Sequence, residues 1–104
     1  MNRTANALRG EASLRIDDQD YLLRPSFENL LAAEEELGSL FELVERAAQG
    51  ALSLNEITAL LWHCLPHDER PERNGVGQAV LSLGLVKATG PVRVILAQAL
   101  QGDA

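Results

Sequence analysis

A change of hydrophobic period at Pro25 divides the chain into two kinds of structure. Apolar and polar residues alternate over 11–16, which is the period of a half-buried β-strand. A polar cluster at 17–20 and a short apolar run follow, so we expect a β-hairpin over 11–24 with its turn near 17–20. That turn contains no Gly, and Asp must therefore supply any left-handed φ angle it needs. After Pro25 the period becomes helical.

Capping signals divide the first part of the helical region. Ser26, Ser39 and Ser53 can each accept a backbone N–H at the start of a helix. A Glu stands three residues after the second and the third of these serines, which completes a capping box. The predicted helices run over 27–37 up to Gly38, from Ser39 to Gly50, and from Ser53 to a point before Pro66.

Two further helices are predicted after a long loop, His67 to Gly75. Asn74 can cap a helix over about 76–87, and Thr89-Gly90-Pro91 starts the last one, which closes near Gly102. We therefore predict an α+β fold in one domain spanning 1–104. It consists of an N-terminal β-hairpin (11–24) followed by a small bundle of four to five helices (26–102).

The formal charge of −6 comes entirely from residues 25–62, where seven Glu accompany Arg46 alone. An acidic surface repels phosphate backbones and anionic lipids, so nucleic acid and membrane partners are not expected. No apolar run approaches the ~20 residues of a membrane span. The segment Met1–Gly10 lacks the apolar stretch of a secretory signal. These features lead us to expect a cytoplasmic protein without an internal disulfide, since the sequence has one Cys.

The segment His63-Cys64-Leu65-Pro66-His67 holds the residues best suited to metal binding or nucleophilic chemistry. Two His four positions apart on one helix could bind zinc, but Pro66 interrupts that helix before His67. A zinc site would need a third ligand, for which only Cys64, Asp68 or Glu69 is near. The competing interpretation is a helix end with Cys64 packed inward and both His solvated. We therefore expect no metal, no cofactor and no catalytic residue, and keep a metal-binding protein using His63 and His67 as an alternative.

Ser39 offers a second alternative. Its setting, Leu37-Gly38-Ser39-Leu40, is similar to the phosphopantetheine attachment site of acyl carrier proteins. That serine normally follows an Asp, whereas Gly38 stands here, and an N-terminal hairpin does not belong to the carrier fold. A helix cap explains Ser39 better.

Glu34 lies in the middle of the apolar stripe of the first helix, between Leu30 and Leu31 at 100° per residue. A carboxylate in that position must be paired or must contact a partner. We expect Arg24 or Arg46 to pair with it, and contact with a partner is the alternative.

Trp62 faces away from the main apolar side of the third helix. We expect the hairpin or the last helix to cover it, and an exposed contact residue is the alternative. The residues that we predict to bind a partner are Glu34, Leu37, Phe41 and Trp62.

Apolar stripes in the second and fifth helices are typical of core. Their members are Leu40, Leu43, Val44 and Ala47 in the second helix and Val92, Ile95, Leu96 and Ala99 in the fifth. Further apolar residues widen the surface near the C-terminus and leave a face for a dimer or a complex there. These are Leu85, Val86, Val94 and Leu100.

The order of these patterns resembles the gene transfer agent family of small phage-tail proteins, which is related to tail assembly chaperones. The resemblance covers about Asn6 to Gly102. It is carried by Gly10-Glu11-Ala12, Leu14 to Asp17, Tyr21 to Phe27, Glu34 to Gly38, Val76-Gly77 and the closing helix Val94 to Gly102. Members often have Gly in the hairpin turn, where this chain has Asp18 or Gln19.

The resemblance implies a non-enzymatic role in building a phage-like tail. Such chaperones hold the tape-measure protein soluble until tail tube subunits polymerise around it, and other members are described as tail tube or minor tail proteins. The expected partners are therefore the tape-measure protein and the tail tube protein, with a homo-oligomer left open. The family offers no catalytic residues to carry over. The protein would act in the bacterial cytoplasm, or would stay in the finished particle.

Overall fold

The N-terminal hairpin forms as the alternation predicts. In the computed structural model, which describes residues 12–102, strand β1 (Ala12–Ile16) pairs antiparallel with β2 (Gln19–Leu23). The two residues between them, Asp17 and Asp18, have φ angles of 49° and 65°. They form the two-residue turn that suits the twist of a hairpin, with Asp in the left-handed conformation that was expected. Residues 1–11, including the first residue of the predicted hairpin and the segment examined for a signal, lie outside the described part.

Within residues 12–102, five helices follow the hairpin, so the predicted α+β class is confirmed. Their bounds are α1 Phe27–Leu37, α2 Leu40–Ala48, α3 Leu54–His63, α4 Arg73–Leu83 and α5 Leu85–Gln101. A single 3₁₀ turn, His67–Glu69, lies between α3 and α4.

The serine caps account for the first three helix starts. The Ser26 hydroxyl accepts the amide of Asn29 at 3.2 Å, and Ser53 forms the full capping box with Glu56. In that box the Glu56 carboxylate accepts the amide of Ser53, which lowers the pKa of Glu56. Ser39 also caps, but its hydroxyl accepts the amide of Phe41 rather than entering the predicted box with Glu42.

Helix α3 lies at the centre of the fold and contacts α1, α4 and α5. Six of its ten residues are buried: Ile57, Thr58, Ala59, Leu60, Leu61 and His63. The hairpin packs on α4 and α5 through the inward side chains of β1, and Leu23 is fully buried. A backbone hydrogen bond of 2.7 Å, donated by the amide of Arg24 to the carbonyl of Cys64, joins the end of the hairpin to the end of α3.

The predicted bounds of the last two helices are wrong. Helix α4 begins at Arg73, three residues before the predicted start, with Glu72 and not Asn74 at its N-cap. Arg73 is fixed there by two hydrogen bonds to Glu36 of α1, so a tertiary contact overrides the local capping signal. The expected long loop is correspondingly shorter.

Helix α5 begins at Leu85, and Pro91 lies inside it instead of at its first position. A residue before proline normally avoids the helical conformation because its Cβ meets the proline ring. Gly90 has no Cβ, so this part of the conflict is absent, and α5 continues through Pro91 although residue 91 has no N–H to donate to the carbonyl of residue 87. The real break is Gly84, whose φ of 98° ends α4, and the two helices are bent by 116° there.

Within the described residues no single helix is long and apolar enough to cross a membrane. Helices α4 and α5 meet the length and composition criteria only when taken together across their bend.

We expect Gly84→Ala to lower the free energy of unfolding by about 1–3 kcal/mol, because a side chain is strained at this positive φ. Gly75→Ala, in the helical conformation of α4 with open space around the new Cβ, should instead raise it by about 0.5–1 kcal/mol. Urea unfolding monitored by circular dichroism measures both. Equal effects of the two substitutions would contradict the assigned break at Gly84.

Candidate functional site

Glu36 of α1 connects three helices. Its Oε1 lies 2.7 Å from Nε2 of His63 on α3, and both of its oxygens accept hydrogen bonds from the guanidinium of Arg73 on α4, at 2.6 and 2.9 Å. The hydrogen bonds from Arg73, and then that from His63, lower the pKa of Glu36 to about 2. Glu36 is therefore ionised at neutral pH, and its charge holds α1 and α4 against the end of α3.

Trp62 is half-buried beneath the segment that leads into α4. Its indole N–H donates to the carbonyl of Pro71 at 2.9 Å, and the guanidinium carbons of Arg70 and Arg73 each lie 4.5 Å from the ring centroid. Cations over an aromatic face are attracted by its quadrupole. Trp62 is covered, as predicted. The covering segment is 70–73, however, and not the hairpin or the last helix.

The two His and the Cys of the segment considered for metal binding have separate surroundings. Nε2 of His67 lies 2.9 Å from Oδ1 of Asn29, whereas His63 is buried and contacts Glu36. Cys64 is fully buried, and burial raises the pKa of its thiol to about 12. The expectation that both His are solvated is thus wrong for His63. Among residues 12–102 no group of three or more His, Cys, Asp or Glu is arranged to hold a metal ion.

The carboxylate of Glu34, on α1, caps the N-terminus of α2. Its Oε2 accepts the amide of Leu40 at 3.1 Å, and this amide is one of those that a helix start leaves unpaired. The expected pair with Arg24 or Arg46 is not the contact that the structure shows, and Arg46 instead forms an ion pair with Glu56. Glu34 and Ser39 together pair two of the amides in the first turn of α2, those of Leu40 and Phe41.

An apolar groove runs between α2 and α5. It consists of three adjoining cavities of about 280, 370 and 50 Å³. The first and second share Ala47 and Arg93, and the second and third share Val44 and Leu100. We call this the α2–α5 groove. It extends from Leu85 and Val86 at one end to Phe41 and Leu100 at the other.

Several large apolar side chains of the α2–α5 groove are exposed. Val86 is 86% exposed, Phe41 70% and Leu100 52%. The surplus of apolar residues near the C-terminus indicated the α5 wall of the groove in the sequence. One of those residues, Val94, is partly buried against the core. The sequence did not indicate the α2 wall, because Val44 and Ala47 were assigned to the core.

The two edges of the α2–α5 groove differ in charge. On α2, Glu45 follows Phe41 by four residues and precedes Ala48 by three, so all three share the face that borders the groove. The side chain of Glu45 is exposed. Helix α5 has no acidic residue and contributes Arg93 to the groove lining. One edge is therefore acidic and the other is neutral to basic.

The four residues predicted to bind a partner have different surroundings. Phe41 is exposed in the α2–α5 groove, while Leu37 is partly buried against the core. Glu34 caps α2, and Trp62 packs against the 70–73 segment. The role of all four in partner binding stays a prediction, and Phe41 is the one whose exposure best suits it.

Comparison with known protein families gives a match over most of the chain. The model of the family described as "Phage tail tube protein, GTA-gp10" matches residues 9–102. No curated protein and no solved structure matches the chain.

We expect Glu36→Gln to reduce stability in a pH-dependent way. The carboxylate has a lower pKa in the folded protein than the ordinary 4.5, so its contribution is complete above about pH 5 and is lost as the pH falls towards 2. Since Glu36 is about one third exposed, we expect a loss of about 1 kcal/mol at pH 7. Urea unfolding between pH 7 and pH 2 should show the wild-type and variant curves converging in acid.

Glu35→Gln provides the control, because Glu35 is an exposed neighbour on the same helix. Its unfolding should follow the wild type closely at each pH. A Glu36→Gln variant as stable as Glu35→Gln at pH 7 would show that the bridge between the three helices contributes nothing.

Proposed function

Because the chain belongs to the GTA-gp10 family of phage tail tube proteins, we propose that it works in tail assembly by binding and not by catalysis. Its proposed role is that of a chaperone for the tape-measure protein of the same gene cluster. It would cover apolar surface of that protein and keep it soluble until tail tube subunits assemble around it. The family membership supports the link to tail assembly, and the α2–α5 groove supports the binding role.

The observation that carries the proposal is the exposed apolar lining of the α2–α5 groove. Apolar side chains left in water at the mouth of a groove are typical of protein interaction sites. A groove between two helices suits an amphipathic helix, which inserts its apolar stripe and leaves its polar face in water. A long helical tape-measure protein would present many such stripes.

The chemistry of the polar residues supports a binding role. The Cys64 thiol is buried and protonated at neutral pH, so it is a poor nucleophile. His63 and the carboxylate of Glu36 are held in a bridge between helices, and Ser39 and Glu34 cap α2. Each of these groups has a structural task in the fold.

A tail subunit that remains in the particle is the second candidate, and the family description favours it. A tube subunit must contact its neighbours in a repeating arrangement, whereas a chaperone leaves when the tube is complete. The two candidates therefore differ in whether the protein is present in finished particles. Mass spectrometry of purified particles distinguishes them, with near-stoichiometric amounts relative to other tail proteins favouring the subunit.

We expect co-expression with the tape-measure protein to give a soluble complex that co-purifies. Phe41→Ser should lower the recovered complex about tenfold, because it removes an exposed aromatic anchor from the binding surface. Phe27→Ser is the matched control, since Phe27 is 78% exposed at the start of α1 and does not line the groove. The readout is the ratio of the two proteins after affinity purification and gel filtration.

The chaperone proposal fails if the co-expressed tape-measure protein precipitates while this chain elutes alone. A complex that forms equally well with Phe41→Ser keeps the chaperone role and contradicts the predicted involvement of Phe41.

A further inference from the structure

We infer that the α2–α5 groove binds a single amphipathic helix whose apolar stripe is flanked by Lys or Arg on the side that faces α2. This deepens the proposed function, since it names the surface and the chemistry of the partner segment. The inference is carried by the shape of the groove, the exposure of its lining and the difference in charge between its two edges.

The dimensions of the groove fit a helix of moderate length. Helix α5 forms one whole wall with 17 residues, which at 1.5 Å per residue corresponds to about 25 Å. A partner helix of about 16 residues would span that length, with apolar side chains at positions i, i+4, i+7, i+11 and i+14 entering the groove. Val86 and Leu100 lie near opposite ends of α5 and mark the first and last of these contacts.

The charges specify the flanks of that helix. Glu45 is exposed on the α2 edge, beside Phe41 and Ala48 of the groove lining. It takes no part in the bridges and caps formed by the other glutamates described above. A basic residue of a partner would meet this carboxylate at the polar rim of the interface, where complementary charge governs specificity and the rate of association. On the opposite edge, Arg93 suits an acidic or neutral residue.

A second copy of the chain fits this surface less well. In a two-fold dimer the same patch faces itself, so two concave grooves would oppose each other and leave the space between them unfilled. Each copy also carries a formal charge of −6, which opposes close approach. A convex helix of basic character satisfies both constraints.

The test uses the full chain and two synthetic peptides of about 18 residues with the same Leu spacing, one with Lys and one with Glu on the polar face. Fluorescence anisotropy of labelled peptide measures binding. We expect the Leu/Lys peptide to bind at least about tenfold more tightly than the Leu/Glu peptide, with an affinity that falls as salt increases.

Matched variants locate the binding surface. Val86→Glu combined with Leu100→Glu should weaken binding of the Leu/Lys peptide about tenfold or more, since it places charge in the apolar groove. Phe27→Glu combined with Leu81→Glu changes two similarly exposed apolar residues that do not line the groove, and should leave the affinity unchanged. Circular dichroism and urea unfolding verify that both double variants are folded.

Charge reversal tests the acidic edge. Glu45→Lys should remove most of the preference for Lys over Glu on the peptide, since Glu45 is the carboxylate beside the groove lining. Glu35→Lys makes the same change of net charge on α1 and should keep the preference.

Several outcomes would overturn the inference. These are failure of both peptides to bind, equal affinity for the two peptides, or binding that survives Val86→Glu with Leu100→Glu. A wild-type dimer in sedimentation that this variant converts to a monomer would assign the groove to a second copy instead. Because these experiments use no tape-measure protein, their failure is separate from failure of the co-expression experiment, which tests the proposed function alone.

Discussion

The burial of α3 is the constraint on which the rest of the structure depends. Its middle residues, Ala59, Leu60 and Leu61, are almost completely enclosed, and the polar Thr58 and His63 are buried with them. A helix that is buried nearly all round must be surrounded by other elements, and α1, α4 and α5 provide contacts on its different sides. The hydroxyl of Thr58 is buried without a hydrogen-bond partner within the described structure, a local cost that the apolar contacts of α3 must outweigh.

Part of the acidic segment is used inside the fold. Of the seven Glu in residues 25–62, three carry out structural tasks: Glu34 caps α2, Glu36 bridges three helices and Glu56 closes a capping box. The negative charge therefore does two things in one segment. Part of it holds the helices around α3, and part of it gives the surface its acidic character.

The sequence predicted those features whose causes are local. The alternation in 12–16, the aspartate turn and the three serine caps lie within a few residues of the elements they specify, so the hairpin and the first three helix starts followed from them. The start of α4 depends on Arg73 meeting a carboxylate 37 residues earlier, and no short-range pattern encodes that pairing. The start of α5 was predicted wrongly because proline commonly marks a helix boundary, whereas here Gly90 removes one part of the steric conflict and the helix continues through Pro91.

The candidate site, like the fold, was predicted only where its causes are local in the sequence. Exposed apolar residues on α5 could be recognised as a surplus, and Phe41 could be selected as a contact residue, whereas the groove itself requires α2 and α5 to lie side by side. Helical periodicity identifies an apolar stripe but does not distinguish a stripe that is buried from one that lines a cleft. Val44 and Ala47 belong to both categories, since they pack against the core and line the groove.

The joint at Gly84 constrains how the chain can change in length. One residue separates α4, which packs on α3, from α5, which forms a wall of the groove. Each residue added there would rotate α5 by about 100° about its axis, turning its apolar wall away from α2 and its buried face out of the core. The connections at 49–53 and 64–72 are longer and can absorb insertions more readily. Length variation in proteins of this architecture should therefore collect in those two connections and spare the joint between the last two helices.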